Sequence, residues 1–346
     1  MIIYWLIKRV RRWREERRAR GAAAPPDTTA RRPPVTRPRP SVETPLDSDA
    51  AISVRGLRKA YGGYEAVRGI DFDVRRGEIV AFLGPNGAGK TTTVEILEGY
   101  RERTGGDVLV LGRDPAQAGA DWRNAIGVVL QESEPDPYLT ARECLELYAG
   151  YYTQPRPTDE TLSLVGLASK ADAVSGTLSG GQRRRLDVAL ALVGDPELVF
   201  LDEPTTGFDP SARRTAWEVV AGLRELGKTI FLTTHYMDEA EYLADRIIVL
   251  ADGEIVAEGT PASLGGRDRS AARITFTLPA AVASVPLPAP FSQVDGRGEA
   301  RTTTLLDDLR TLAAWAAEAG VDLPDLEVRR ATLEDIYLDL TGAVSA

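Results

Sequence analysis

The rhythm of apolar and polar positions changes several times along this chain. Alternation in Ile52–Val54–Leu57, and again in Val67–Ile70–Phe72–Val74, predicts half-buried antiparallel strands. The unbroken apolar run from Ile79 to Leu83 predicts a buried strand, followed by a glycine-rich loop and a helix. Two further runs, Leu198 to Leu201 and Thr229 to Thr233, each lead into polar residues suited to chemistry. Strands alternating with helices imply a mainly parallel α/β sheet. In such sheets functional groups gather beyond the carboxyl ends of the strands. Residues 132–190 read as a mostly helical insertion. Ile247–Val249 and Ile255–Val256 flank Asp252-Gly253, the pattern of a hairpin with a tight turn. Past about residue 265 the character shifts. Ile274–Leu278 reads as a strand, and 303–319 as a helix with Leu305, Leu309, Leu312 and Trp315 at helical spacing. Leu333 to Leu340 reads as a last helix. The sum is a small α/β appendage, with no internal repeat.

The N-terminal end follows another pattern. On a helical wheel Ile2, Ile3, Leu6, Ile7, Val10 and Trp13 share one arc, opposite Lys8, Arg9, Arg11 and Arg12. Arg14 and Arg17 then fall on the apolar arc and end the pattern. Residues 1–20 thus read as a basic amphipathic tail suited to an anionic membrane surface or to RNA, between which the sequence does not decide, or as a flexible tail without that role. Residues 21–50, rich in Pro, Ala and Arg, read as a disordered linker. No run approaches the ~18 apolar residues of a spanning helix.

Charge sharpens the division. The net charge is −9. Lys8 and eleven arginines against Glu15, Glu16 and Asp27 give residues 1–40 a charge of +9, leaving −18 on the rest. An acidic body repels nucleic-acid phosphates, so no nucleic-acid partner is expected. The lone cysteine, Cys144, excludes an internal disulfide and sits among Leu145, Leu147 and Tyr148 as a small buried apolar residue.

Gly84-Pro85-Asn86-Gly87-Ala88-Gly89-Lys90-Thr91 fits G-x-x-x-x-G-K-[ST] between a predicted strand and a predicted helix, and the pattern occurs once. Glycines let the backbone curl so that its N–H groups face phosphate oxygens, and the helix start adds a favourable field for anions. Lys90 supplies a charge for the β- and γ-phosphates of ATP, and the Thr91 hydroxyl a ligand for Mg2+. Some 110 residues on, the strand Leu198–Leu201 delivers Asp202-Glu203-Pro204. Asp202 is placed to hold magnesium and Glu203 to take a proton from attacking water. Adjacent carboxylates on a continuing strand face opposite ways, so the backbone is expected to turn here.

Leu178-Ser179-Gly180-Gly181-Gln182 stands as the signature of the ABC ATPases, and with it residues 52 to 262 resemble an ABC nucleotide-binding domain. Other motifs match in order. Tyr61 falls where the family stacks an aromatic on adenine, and Gln131 where it has its Q-loop glutamine. Gly207-Phe208-Asp209-Pro210 is similar to the D-loop, with Phe208 where leucine is usual, and Thr234-His235 to the switch histidine. The resemblance implies a P-loop ABC ATPase domain over 51–265, with the helical insertion at about 132–190 and an accessory α/β domain at 266–346. It places Thr92, Ser179, Gly180, Gly181, Gln182 and Asp209 among the nucleotide contacts, and Gln131 beside magnesium and the attacking water. It makes Glu203 the general base and sets His235 on the γ-phosphate. It implies a head-to-tail pair of copies, each ATP clasped between Lys90 of one and Ser179 of the other.

Residues 328–342 resemble the end of daunorubicin-resistance-type ATPases, subunits of ABC-2 exporters whose permease is a separate multi-spanning chain. The expectation is a peripheral subunit on the cytoplasmic face of the membrane. An ABC ATPase acting in translation or DNA repair is the competing reading, but one phosphate loop and the lack of long coiled coils or zinc cysteines count against it. A small-molecule kinase on the same loop is disfavoured by the signature and Glu203.

Overall fold

The protein is described from a computed structural model covering residues 46–341, apart from 48, 130–134, 270, 280–281, 283–284 and 295. The amphipathic tail, nearly all of the linker and Gln131 lie outside the described residues.

Three sheets organise the chain. In the first, β1 (Ile52–Tyr61) pairs antiparallel with β2 (Tyr64–Val74) on one side and β4 (Gly105–Val110) on the other. The second has the order β5-β6-β7-β3-β8-β9. Its strands are β3 (Ile79–Leu83), β5 (Ile126–Val129), β6 (Leu198–Asp202), β7 (Thr229–Thr233), β8 (Arg246–Ala251) and β9 (Glu254–Gly259). All neighbours run parallel except β8 and β9, the hairpin read from the sequence. Asp252 and Gly253 both take positive φ, 49° and 79°, as a two-residue turn that follows the strands' twist requires.

The inner strands are apolar without interruption because both faces are covered. Val80, Phe82, Phe200 and Phe231 point toward the first sheet, where Phe72 meets them at ring-centroid distances of 5.9 Å from Phe82 and 6.1 Å from Phe231. Burying each ring contributes about 2–3 kcal/mol. On the opposite face Ala81, Val199, Leu201, Ile230 and Leu232 pack against a helical layer. That layer includes α3 (Ala141–Ala149), α4 (Thr158–Leu164), α5 (Gly180–Leu192), α6 (Pro210–Glu225) and α7 (Met237–Leu243). Two helices precede these in the chain, α1 (Lys90–Leu97) and the short α2 (Ala120–Asn124). Cys144 lies buried in the helical layer, 2% exposed.

The third sheet, ordered β11-β12-β10-β13, has its own core. It is built from β10 (Ala272–Thr277), β11 (Ser292–Val294), β12 (Arg297–Thr302) and β13 (Glu327–Arg329). Helix α8 (Leu305–Ala319) covers one face, with Leu312, Leu309 and Trp315 joining the cluster of Ile274 and Phe276. The last helix, α9 (Leu333–Thr341), leaves this sheet. Leu333 and Tyr337 join the helical-layer core of the main body.

Candidate functional site

The phosphate loop lies between the end of β3 and the start of α1. Its glycines do different work. An added Cβ at Gly84 would stand 2.3 Å from the Leu250 carbonyl of β8, and one at Gly89 equally close to the Ala66 carbonyl of β2. The loop is therefore seated between two strands with no room for side chains. Gly89 also caps α1 with φ 105°. Gly87, at φ 83°, faces open space. The first amides of α1 lack carbonyl partners a turn behind and face the loop's concavity. The Lys90 side chain folds over the loop, its Nζ donating to the Gly84 and Pro85 carbonyls at 2.5 and 3.1 Å. Burial lowers its pKa, while Glu203 and Asp202 act the other way. All three groups thus feel one another across the site.

Thr91 is exposed and Thr92 half-buried on the first turn of α1. The Thr92 hydroxyl lies 3.5 Å from that of Tyr61, at the end of β1. The half-exposed Tyr61 ring has Lys59 and Arg101 at 5.1 and 5.3 Å from its centroid, which makes it electron-rich company for cations as well as a flat apolar face. Glu95 holds Arg101 at 2.6 Å.

The acidic strand end turns as expected. Asp202 is the last residue of β6, and Thr233 Oγ1 donates to its Oδ1 at 2.5 Å. Glu203 then takes φ 46°, a left-handed conformation costing roughly 1–2 kcal/mol in a side-chain-bearing residue. Its amide donates to the carbonyl and hydroxyl oxygens of Thr233, both at 3.1 Å. Its Oε2 accepts from Thr206 Oγ1 at 3.1 Å and lies 3.5 Å from His235 Nδ1. Two residues far apart in sequence, Glu203 and His235, are thus brought together at neighbouring strand ends. His235 packs on Tyr236 at 4.0 Å between ring centroids, and Arg213 of α6 lies 3.9 Å from the Tyr236 ring.

Beneath them Glu239 of α7 is fully buried. Its Oε1 accepts from Thr205 Oγ1 at 2.9 Å and Trp217 Nε1 at 3.0 Å. Burial raises its pKa, against hydrogen bonds from Thr234, Thr205 and Trp217.

The signature segment starts α5. Ser179 is its N-cap in a reciprocal capping box. Ser179 Oγ accepts from the Gln182 amide at 3.3 Å, and Gln182 Oε1 from the Ser179 amide at 2.9 Å. Gln182 thus serves the helix start, leaving the Gly180 and Gly181 amides as the helix's outward donors. Asp209 caps α6, accepting from the Ser211 and Ala212 amides at 2.9 and 3.0 Å. Ser179, Gly180, Gly181, Phe208 and Asp209 line one cleft of about 670 Å³. Among the described residues, none of the phosphate loop lines that cleft. The cleft at the start of α5 thus takes no residue from the start of α1 among the described residues. Sequence reading missed Thr233, Thr206 and Arg184, which support Asp202 and Glu203, and Glu239, which holds Thr205 and Trp217. Only Thr233, a hydroxyl at the end of an apolar run, carried a signal.

The family described as ABC transporter matches residues 67–206, and the C-terminal domain of ABC transporter domain-containing protein-like proteins matches 272–332. The chain is 39% identical over 306 residues to daunorubicin resistance ATP-binding protein DrrA3 of Streptomyces coeruleorubidus, covering 85% of this chain and 97% of that protein. It is 38% identical over 306 residues to Nod factor export ATP-binding protein I of Ralstonia nicotianae, covering 86% and 95%. Among solved structures, the dimeric post-hydrolysis state of the ATP-binding cassette MJ0796 bound to ADP and Pi matches with TM-score 0.54 and 28% identity, over 60% of this chain and 98% of that one. The Clostridium perfringens cbiO1 structure matches at 0.56 and 29%, over 62% and 90%. No helix among the described residues is long and apolar enough to cross a membrane. The family match spans the phosphate loop, the signature segment and the acidic strand end, and relatives 38–39% identical are covered over nearly their whole length, so the chain belongs to the ABC transporter family as an ATP-binding, ATP-hydrolysing subunit.

Proposed function

We propose that two copies of this chain close head to tail around ATP and drive export through separate membrane permease subunits on the cytoplasmic face. One observation carries the pairing. The signature cleft at Ser179 contains no phosphate-loop residue among the described residues, so a second copy is needed to bring Lys90 to it. The MJ0796 cassette was captured as a dimer, in keeping with this reading. Export rests on the relatives, which are named for Nod factor export and daunorubicin resistance.

In this reading Lys90 leaves the Gly84 and Pro85 carbonyls for the β- and γ-phosphates. Tyr61 stacks on the base, and the loop from Gly84 through Gly89, with Pro85, Asn86 and Ala88, wraps the phosphates along with Thr91 and Thr92. Ser179, Gly180 and Gly181 of the second copy donate to the γ-phosphate, while Gln182 and Asp209 hold their helix starts in place. Glu203 accepts the proton of the attacking water while Thr206 and His235 hold its Oε2. His235 also reaches the γ-phosphate, and Gln131 orients the water.

Magnesium suits the oxygen donors here. The Thr91 hydroxyl and Asp202 carboxylate, with Gln131, would hold it. Few protein oxygens suffice for such an ion, which keeps waters and phosphate oxygens in its shell. When bound it neutralises phosphate charge.

Glu203→Gln tests the mechanism. Turnover falls by about a hundredfold or more, since proton acceptance is lost. ATP still binds, and an ATP-locked dimer accumulates in size-exclusion chromatography. Near-normal hydrolysis by this variant would remove Glu203 from the role of base.

A further inference from the structure

Arg184 lies on the second turn of α5, five residues past Ser179, in a run of three arginines. Arg183 is exposed, whereas the Arg184 side chain is only 11% exposed. A guanidinium is rarely taken out of water unless its donors are used. Here Nε donates to the Pro204 carbonyl at 3.1 Å, and Nη2 to the Asp202 carbonyl at 3.0 Å and the Glu203 carbonyl at 3.4 Å. Asp187, one turn along α5, stands 4.0 Å away and balances part of the charge. The three acceptors are consecutive peptide groups, those that carry the magnesium carboxylate, the general base and the proline that ends the strand. At their centre Glu203 holds its left-handed backbone. Thr233 fixes that peptide from the β7 side and Arg184 from the α5 side. The planar guanidinium spreads its donors over Nε and Nη2 and so spans the three carbonyls in a fixed geometry, whereas an ammonium gathers its donors on one rotating atom.

We propose that Arg184 is a positioning residue for Glu203. It ties the signature helix of each copy to that copy's own general base. The consequence follows from the head-to-tail pairing, on which this inference rests. The start of α5 holds the γ-phosphate of one ATP, while the Asp202–Pro204 segment serves the other. A displacement of α5 as its Ser179 end engages phosphate is passed through Arg184 to the carbonyls on either side of Glu203. The two ATP sites are coupled within one polypeptide, through a side chain that touches neither nucleotide.

The test compares Arg184→Met and Arg184→Lys with the parent and with Glu203→Gln, as the full chain. Expected for Arg184→Met is a fall in kcat of about a hundredfold, the cost of misplacing a reacting group by ~1 Å. KM for ATP and the affinity for a fluorescent ATP analogue stay within about twofold, because no phosphate contact is removed. Arg184→Lys restores part of kcat. The double variant Arg184→Met/Glu203→Gln is no slower than Glu203→Gln alone, since a misplaced base and an absent one cost the same step. A weakened ATP affinity with unchanged kcat would overturn the inference, as would losses that multiply in the double variant or equal activity of Arg184→Met and the parent. If Arg184→Met fails to fold, the lysine variant decides alone by the same split of kcat from KM. Failure of the underlying reading appears separately, as normal turnover by Glu203→Gln itself.

Discussion

Three glycines of the phosphate loop separate backbone strain from steric exclusion, and alanine at each should give a different cost. At Gly87 the added methyl group meets nothing within 4 Å, and only the left-handed φ of 83° is penalised. That strain is worth about 1–2 kcal/mol. At Gly84 the backbone lies outside the left-handed region, but the Cβ stands 2.3 Å from the Leu250 carbonyl. It must retreat by about 0.7 Å merely to reach the 3.0 Å below which real contacts are essentially never seen. The obstacle is backbone in a central-sheet strand, which cannot rotate away, so a cost of about 1–3 kcal/mol is expected. Gly89 combines both penalties, with φ 105° and the Ala66 carbonyl at 2.3 Å. Gly89→Ala should therefore cost about 2–5 kcal/mol, near the sum of the other two. Urea unfolding of the three variants gives the ranking directly from midpoints at constant slope. Because Gly89 also sets the direction of the first amides of α1, its variant should lose about tenfold or more in ATP affinity, the worth of one charge-assisted hydrogen bond. A Gly89→Ala protein as stable as Gly87→Ala, or one binding ATP normally, would refute the claim that the loop is wedged between β2 and β8.

How far the sequence could be read depended on whether a residue's role is local. Lys90, Thr91 and the glycines announce themselves because a phosphate cradle is a contiguous stretch between a strand and a helix. The turn at Glu203 was foreseeable because two neighbouring carboxylates cannot serve one site from a continuing strand. Strands β3, β6 and β7 were readable from their unbroken apolar runs, since burial on both faces leaves no polar alternation, whereas β5 of the same sheet was not read as a strand. Strand β4 was not: Gly105 and Gly106 open it, and only its pairing with β1 makes it a strand. The reason for Gly84 was also hidden, because the carbonyl that forbids a side chain comes from residue 250. Arg184 shows the limit most clearly. Three consecutive arginines look alike in a sequence, and only the packing of α5 on the strand end buries the middle one against three carbonyls. Glu239 reads as one more acid of an amphipathic helix until Thr205 and Trp217 are seen to converge on it.

Two further outcomes follow from ionisable groups away from the nucleotide. Burial pushes the Cys144 thiol up to about 11, with Asp136 and Glu143 nearby adding to the effect. At pH 8 the native protein should react with a disulfide reagent at least about 100-fold more slowly than the urea-unfolded chain, in proportion to lost thiolate; equal rates would show the thiol to be accessible. The second outcome concerns the seam between the first and second sheets, where Arg246 donates to both oxygens of Glu78 at 2.8 and 2.9 Å and to the Asp73 carbonyl. Burial works against the Glu78 charge, but hydrogen bonds from Arg246 and the Arg75 amide outweigh it and lower its pKa below the ordinary 4.5. A carboxyl depressed in the folded state adds stability above its unfolded pKa and loses it as pH falls through the folded value. Glu78→Gln should therefore be less stable than the parent near neutrality, and the gap should narrow as pH is lowered below 4.5. The Glu78 side chain is only 10% exposed and that of Arg246 21%, so solvent screens this pair less than one on the open surface. Unfolding free energies measured at several pH values give the difference in slope, up to one proton between the two proteins. A gap that stays constant or widens toward acid would mean that Glu78 joins the sheets by packing rather than by its charge.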